Sequence, residues 1–355
     1  MRSSVKGYLV LENGQVITGQ AWGAQHEALC QWMFSTAMSG YVETVTNPAM
    51  AGQGLVMTYP LIGNYGCSRE DFASDRPWVA AMVVREIAAL ASNFRNEITL
   101  DELLTLHDIP GLHGVDTRAL VRLLRENGTM RGLLTFDAAQ TIGTGLQASV
   151  ERIKAYKTGS LVARVSKPGT IYHPEGKRRA TVIDLGLTNG LLRRLIDMDF
   201  CVHTLPFDAS PDTVLDSHPE LIMFSDGPGA PQDYTVAIDT ANTLSKQNVS
   251  MAGIGLGHLV IALSQGLPLH KLRVPCHGCY PIRDMQTQRV SIAAQGYEYC
   301  VTDAANAAKV THLNITDNQI AGLQYHDKPI RTVQFQPQGR PGPLDATDWF
   351  DGLLA

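Results

Sequence analysis

The sequence predicts an α/β protein in two domains, an N-terminal α+β domain followed by an α/β domain built on a central parallel sheet. Three observations carry this reading. The 355 residues are enough for two domains that each bury a core of their own. Residues 7–35 alternate in strand fashion around a tight-turn dipeptide. Beyond residue 178, apolar strands and short helices take turns, the order of a parallel sheet with crossover helices.

In the N-terminal part, Tyr8-Leu9-Val10-Leu11 and Gln15-Val16-Ile17-Thr18 flank Asn13-Gly14, the strongest short hairpin signal. Gln31-Trp32-Met33-Phe34 adds a strand, and glycine-rich turns with short strands continue to about Val84. A helix is expected at 100–107, with Thr99 as its N-cap and Glu102 completing a capping box. A second is expected at 117–127, with Leu120, Val121, Leu123 and Leu124 on its apolar side and a stop at Asn127-Gly128. Residues 156–178 lack periodicity and contain Gly159, Pro168, Gly169, Pro174 and Gly176, so they read as a linker between domains 1–155 and 179–355. Thereafter come strand 181–184, helix 190–198, strand 201–204, helix 211–216, strand 221–224, helix 233–246, strand 249–254 and helix 257–265. No internal repeat or low-complexity tract interrupts this order.

Composition narrows the function classes. With 44% hydrophobic and 18% charged residues the chain is an ordinary globular one. A net charge of -5 offers no basic face, which argues against a nucleic-acid partner. No apolar run approaches the roughly 18 residues of a membrane span, and Met1-Arg2-Ser3-Ser4 leads straight into strand-like sequence. A cytoplasmic location is expected. Of the six cysteines, only Cys276 and Cys279 form a C-x-x-C pair, and no second ligand pair stands at zinc-site spacing. Reduced, partly buried thiols are therefore expected, with no metal and no cofactor.

The chemistry turns on Gly255. Ala252-Gly253-Ile254-Gly255-Leu256-Gly257-His258 follows an apolar strand and opens a helix, the G-x-nucleophile-x-G pattern of a strand–turn–helix elbow. Such an elbow projects its central side chain toward a base, and glycine has none to project.

Several ordered strings extend this elbow into a resemblance. The N-terminal part carries Phe34-Ser35-Thr36-Ala37-Met38-Ser39-Gly40-Tyr41, Tyr59-Pro60-Leu61-Ile62-Gly63-Asn64, Ser92-Asn93-Phe94-Arg95 and Gly114-Val115-Asp116-Thr117-Arg118. The C-terminal part carries Asp184-Leu185-Gly186, Ser225-Asp226-Gly227-Pro228-Gly229, the elbow itself and Pro341-Gly342-Pro343-Leu344-Asp345. In these strings the chain resembles, essentially end to end, the small subunit of carbamoyl phosphate synthetase, whose C-terminal half is a class I glutamine amidotransferase domain. The resemblance implies a large-subunit partner that makes carbamoyl phosphate from bicarbonate, two ATP and ammonia for arginine and pyrimidine synthesis. The small subunit normally supplies that ammonia from glutamine.

The resemblance also implies a triad that this chain lacks. The family places a cysteine nucleophile at the elbow, a histidine base and an orienting glutamate, the last two in a run resembling G-H-P-E-A-S-P-G-P-H-D. The matching run here is Phe335-Gln336-Pro337-Gln338-Gly339-Arg340-Pro341-Gly342-Pro343-Leu344-Asp345. Anchored on Pro341-Gly342-Pro343, the base and orienting positions are Gln336 and Gln338; anchored on Phe335-Gln336, they are Gln338 and Arg340. Neither pair accepts and returns a proton near neutral pH. The substrate positions carried over are Gly227, Gly229, Leu256, Leu259, Gly296, Glu298 and Tyr299; of these, Leu259 replaces a substrate-contacting glutamine. Gly227 and Gly229 belong to a loop that, in the family, donates a backbone N–H to the oxyanion. The lysine-arginine-asparagine run that follows Asp184-Leu185-Gly186 in the family is Leu187-Thr188-Asn189 here. A C-terminal helix shorter than the family's is expected after Trp349-Phe350. His258 is read as structural, and a rebuilt site from His277, His326, Cys276 and Cys279 as a lesser alternative. The expected function is thus a non-catalytic small subunit, with a regulatory module or a repurposed hydrolase as the competing readings.

Overall fold

The computed structural model describes residues 5–304, 306–339 and 342–353. They form two compact units, one running up to Gly159 and taking in Arg273–Pro275, the other holding Ser160–Leu272 and the chain from Cys276 onward.

The strands of the first unit are Lys6–Leu11 (β1), Val16–Gly23 (β2), Ala28–Ser35 (β3), Gln53–Met57 (β4), Leu61–Ile62 (β5), Ala81–Val83 (β6), Glu86–Ile87 (β7), Pro110–His113 (β8) and Met130–Thr135 (β9). Seven of them close a barrel in the order β1-β2-β8-β6-β4-β3-β9, with β9 returning to pair with β1. The expected hairpin is present: β1 and β2 run antiparallel, and Gly14 turns the chain at φ 85°. Its helices are Tyr41–Val45 (α1), Leu100–Leu106 (α2), Thr117–Asn127 (α3) and Gly143–Ala155 (α4). The capping box of α2 is formed, with Thr99 Oγ1 accepting from Glu102 N at 3.2 Å and a Glu102 oxygen accepting from Thr99 N at 2.9 Å. Asp116 caps α3 by accepting from Ala119 N at 3.0 Å.

Strands β3, β4 and β6 are largely apolar on both sides because both sides are covered. Cys30, Trp32, Phe34, Val56, Ala81 and Val83 join one core cluster, together with Leu120, Val121 and Leu124 of α3. The alternating residues Met33, Leu55, Met57 and Met82 join another, with Leu100, Leu103 and Leu104 of α2. Trp32 is fully buried, and its indole N–H donates to Gly132 O at 3.2 Å. It lies so close to Gly54 and Gly132 that a Cβ on either would stand 2.6 or 2.8 Å from the ring.

The second unit begins with helix Val162–Val165 (α5) and strand Ile171–His173 (β10), then Arg178–Asp184 (β11), Asn189–Asp197 (α6), Phe200–Pro206 (β12), Pro211–Asp216 (α7) and Leu221–Phe224 (β13). Thr235–Leu244 (α8), Ser250–Ile254 (β14), Leu256–Ser264 (α9), Leu269–Asp284 (β15), Val290–Val301 (β16), Ala308–Asn314 (β17), Ile320–Tyr325 (β18) and Ile330–Val333 (β19) complete it. All strands of this unit join one sheet in the order β10-β12-β11-β13-β14-β19-β18-β17-β15-β16. Its centre, β12-β11-β13-β14-β19, is parallel throughout, as expected. The strands from β15 to β18 add an antiparallel wing that the strand–helix alternation does not announce. Alternation sorts the central strands onto two cores. Ile222, Phe224 and Met251 face the cluster that includes α8 and α9, whereas Leu221, Met223, Ala252 and Ile254 face the one with α6 and Phe350. The C-terminal helix is a short 3₁₀ turn at Thr347–Gly352.

Residues 156–178 need correction as a linker. The units divide between Gly159 and Ser160, and most of the segment is structure of the second unit. Leu161, Val162 and Val165 are buried, β10 pairs antiparallel with β12, and Lys167 N donates to Asp184 Oδ2 at 2.9 Å. The prolines and glycines there mark turns around short elements. Among the described residues no helix is long and apolar enough to cross a membrane.

Gly54→Ala is expected to lower the unfolding free energy by about 1–3 kcal/mol, because the new methyl must displace a buried indole. Denaturant unfolding of both proteins, followed by Trp fluorescence, would measure it; equal midpoints would contradict the close approach.

Candidate functional site

Parallel pairing of β13, β14 and β19 sets their carboxyl ends side by side, where α/β sheets place their ligand crevices. Three loops emerge there: Ser225–Gly229, the Gly255 elbow, and the run from Gln334 to Gly339. The first two are fastened backbone to backbone, since Gly257 N donates to Ser225 O at 3.1 Å, and the elbow is tied to the end of β19 by Gly255 N donating to Val333 O at 2.9 Å. Ser225 Oγ accepts from Leu185 N at 2.9 Å, which ties the loop to the end of β11. There the buried Asp184 accepts from Gly186 N and Leu187 N with one carboxylate oxygen, a turn-fixing role.

Gly255 has φ 55° and ψ −113°, a backbone region reserved for glycine or for a strained residue. It caps α9, whose residues Leu256 to Ala262 are all buried. A Cβ on Gly255 would stand 2.0 Å from Asp226 Oδ1. The space beside the elbow is therefore taken by a carboxylate. Asp226 Oδ1 accepts from Leu256 N at 2.9 Å and from Gly227 N at 2.8 Å, and Oδ2 accepts from Gln336 Nε2 at 2.9 Å. Gln338 Nε2 then donates to Gln336 Oε1 at 3.3 Å, forming a chain Gln338–Gln336–Asp226 that ends on two backbone N–H groups. Gln336 and Gln338 are both buried, and Gln338 Oε1 has no hydrogen-bond partner among the described residues.

Burial raises the Asp226 carboxyl to about 6, against the pull of the Leu256 and Gly227 N–H groups and the Gln336 amide. No group in this chain of contacts is a base of the imidazole kind. His258, on α9, is fully buried with Nδ1 2.7 Å from Thr332 Oγ1, and desolvation lowers it to about 3. It is a neutral packing residue.

Of the positions singled out in the sequence, Gly227, Gly255, Leu256 and Gln336 meet at Asp226, and Gln338 joins them through Gln336. Gly229 shapes the loop instead: it has φ 90°, and Tyr234, whose hydroxyl donates to Pro228 O, fills the space beside it. Leu259 packs into the core of α8 and α9. Gly296 lies opposite His277 in the β15–β16 register. Glu298 pairs with Lys271 at 3.5 Å, and the Tyr299 hydroxyl accepts from Gln232 at 3.4 Å. Arg340 and Pro341 lie outside the described residues.

The alternative cysteine–histidine site lacks an activated thiol. Cys276 is buried and pushed up to about 12, Cys279 is also raised by burial, and His277 is lowered to about 4 by desolvation. All six cysteines are free, and no group of three or more potential ligands among the described residues is arranged for a metal ion. The residue that sequence reasoning passed over is Asp226. Its signal was an acidic residue set between a buried strand and the Gly227-Pro228-Gly229 turn, where a Ser or Asn would serve the turn equally well.

Gly255→Ala is expected to lower the unfolding free energy by about 1–3 kcal/mol or more, from the strained dihedral and the Asp226 contact together. Equal or greater stability of the variant in chemical denaturation would contradict this geometry. A pH prediction concerns Asp226 itself. Its carboxyl is raised from 3.8 unfolded to about 6 folded, so the folded state binds the proton more tightly. Its contribution is full below about pH 4 and is lost as pH rises through about 6, by an amount on the order of 3 kcal/mol. Asp226→Asn removes that titration. The variant should gain on the wild type as pH rises from 4 to 7, in denaturation series across that range; a difference constant with pH would refute it.

Comparison with known proteins identifies the family of both units. Residues 9–134 match the family described as carbamoyl-phosphate synthase small chain, CPSase domain, and residues 181–355 match glutamine amidotransferase class-I. The carbamoyl phosphate synthase small chain of Caldanaerobacter subterraneus subsp. tengcongensis is 37% identical over 360 residues, covering 99% of this chain and 96% of the relative. That of Bacillus caldolyticus is 37% identical over 356 residues, with 99% and 96% covered. The Listeria monocytogenes serovar 1/2a small chain is 36% identical over 354 residues, with 98% and 96% covered. An N-terminal small-chain domain joined to an amidotransferase domain, matched along nearly its whole length, means that this chain belongs to the carbamoyl phosphate synthase small-chain family.

Proposed function

We propose that this chain is a non-catalytic small subunit, one that supports a carbamoyl phosphate synthetase large subunit working from free ammonia. The observation that carries the reading is the elbow. Gly255 offers no nucleophile, and the Asp226 carboxylate occupies the space beside it. The positions read as base and orienting residue are amides, Gln336 and Gln338, which polarise one another but cannot take up a proton at neutral pH. The N-terminal domain match over residues 9–134 supports a retained large-subunit partner. The activity supported would serve arginine and pyrimidine synthesis in the cytoplasm, and the net charge of -5 speaks for a protein partner over nucleic acid. Burial raises both the Cys276 and the Cys279 thiol, which weighs against a repurposed hydrolase.

The isolated protein is expected to release no ammonia from glutamine, and Gly255→Cys alone is expected to restore none. Residues of a triad act as a unit, so replacing one member recovers little. With a large subunit, the complex should make carbamoyl phosphate from ammonium salts and not from glutamine. Glutamine-supported synthesis at a comparable rate would exclude the proposal. Failure to bind a large subunit would favour a regulatory module with another partner.

A further inference from the structure

The two backbone N–H groups that converge on Asp226 Oδ1 come from Gly227, in the loop after β13, and from Leu256, the first residue of α9. Donors of this kind, fixed by backbone and aimed at one oxygen beside a nucleophile position, constitute an oxyanion-binding site. Here they are already occupied by an anion that belongs to the chain. We propose that Asp226 is a tethered anion seated in an otherwise intact oxyanion site, and that this carboxylate, beyond the missing thiol, keeps a substrate carbonyl out. The assignment rests on the elbow reading given above. Three observations carry it independently of one another. The carboxylate takes both N–H groups with one oxygen and the Gln336 amide with the other, so each polar edge is engaged. An ideal Cβ at residue 255 would stand 2.0 Å from the same oxygen, so a side chain there and the carboxylate cannot both keep these positions. The loop that presents it is itself fixed, by Ser225 Oγ to Leu185 N and by Gly257 N to Ser225 O. A ligand attached to a fixed loop acts at an effective concentration that a free competitor does not reach.

Removing the carboxylate then leaves a vacant receptor for a small carboxylate. Asp226→Ala, which keeps the Cβ, should therefore show a saturable rise in thermal midpoint with sodium formate, measured against sodium chloride at equal ionic strength. Wild type should show no such rise. Adding Gln336→Leu to Asp226→Ala should weaken the formate response by about tenfold, the worth of one hydrogen bond to a charged group. An identical formate response in wild type, or a folded Asp226→Ala that shows none, would overturn the proposal. Should Asp226→Ala not fold, the wild type answers by NMR: the amide protons of Gly227 and Leu256 should shift together with one midpoint across pH 4–8. In Asp226→Asn they should stay still. Independent or absent shifts in wild type would equally overturn it. Neither readout involves glutamine turnover or a large subunit, so failure here and failure of the proposed function are distinguishable.

Discussion

The hydrogen bonds from the N–H groups of Gly227 and Leu256 to the Asp226 carboxylate join the end of β13 to the start of α9. A charge enclosed this fully is tolerable only where donors surround it, and the positive end of a buried helix contributes to that. Gln336 adds a third donor, and Gln338 orients Gln336. The arrangement also requires room at residue 255, which only glycine leaves. Asp226, Gly255, Gln336 and Gln338 are therefore one physical unit. Gly255, Gln336 and Gln338 look like separate departures from the family when read singly, and all three contribute to the setting of the Asp226 carboxylate.

Much of the second unit was legible because its signals are local. Strands β13 and β14 are mostly apolar runs and β11 centres on Val182-Ile183, and the helices among them carry caps such as Ser210 accepting from Thr213 N. The hairpin at Asn13-Gly14 and the capping box at Thr99 were legible for the same reason, since each is set by residues within four positions. Barrel closure was not. It depends on pairings between β1 and β9 and between β3 and β4, which no neighbouring residues encode. The antiparallel wing was missed because β15 and β16 mix polar and apolar residues without a clean period, and β15 shifts register between Lys271 and Cys276. Proline and glycine in 156–178 gave the impression of a linker, whereas Leu161, Val162 and Val165 supply the burial that fixes the segment to its unit.

The site divided along a similar line. A glycine at the elbow is visible in the sequence, and so is the absence of a base in the final run. The choice between two alignments of that run was not visible, because Gln336 and Gln338 acquire meaning only from what they touch. Asp226 was hidden by its neighbours: Ser225-Asp226-Gly227-Pro228-Gly229 reads as turn chemistry, and nothing local shows that the N–H of Leu256, thirty positions on, converges on its side chain. A structural contact, not a motif, distinguishes a turn aspartate from one that fills a site.

The closeness of residue 255 to Asp226 also constrains how such a protein could change over generations. A thiol returned to the elbow meets the carboxylate, so it arrives with a cost in stability and, on the proposed reading, with no base to use it. Relief must come first at position 226, in a step with no catalytic reward of its own. On the proposed non-catalytic reading, reversal is therefore order-dependent, a case of epistasis set by a single interatomic distance that acts as a ratchet.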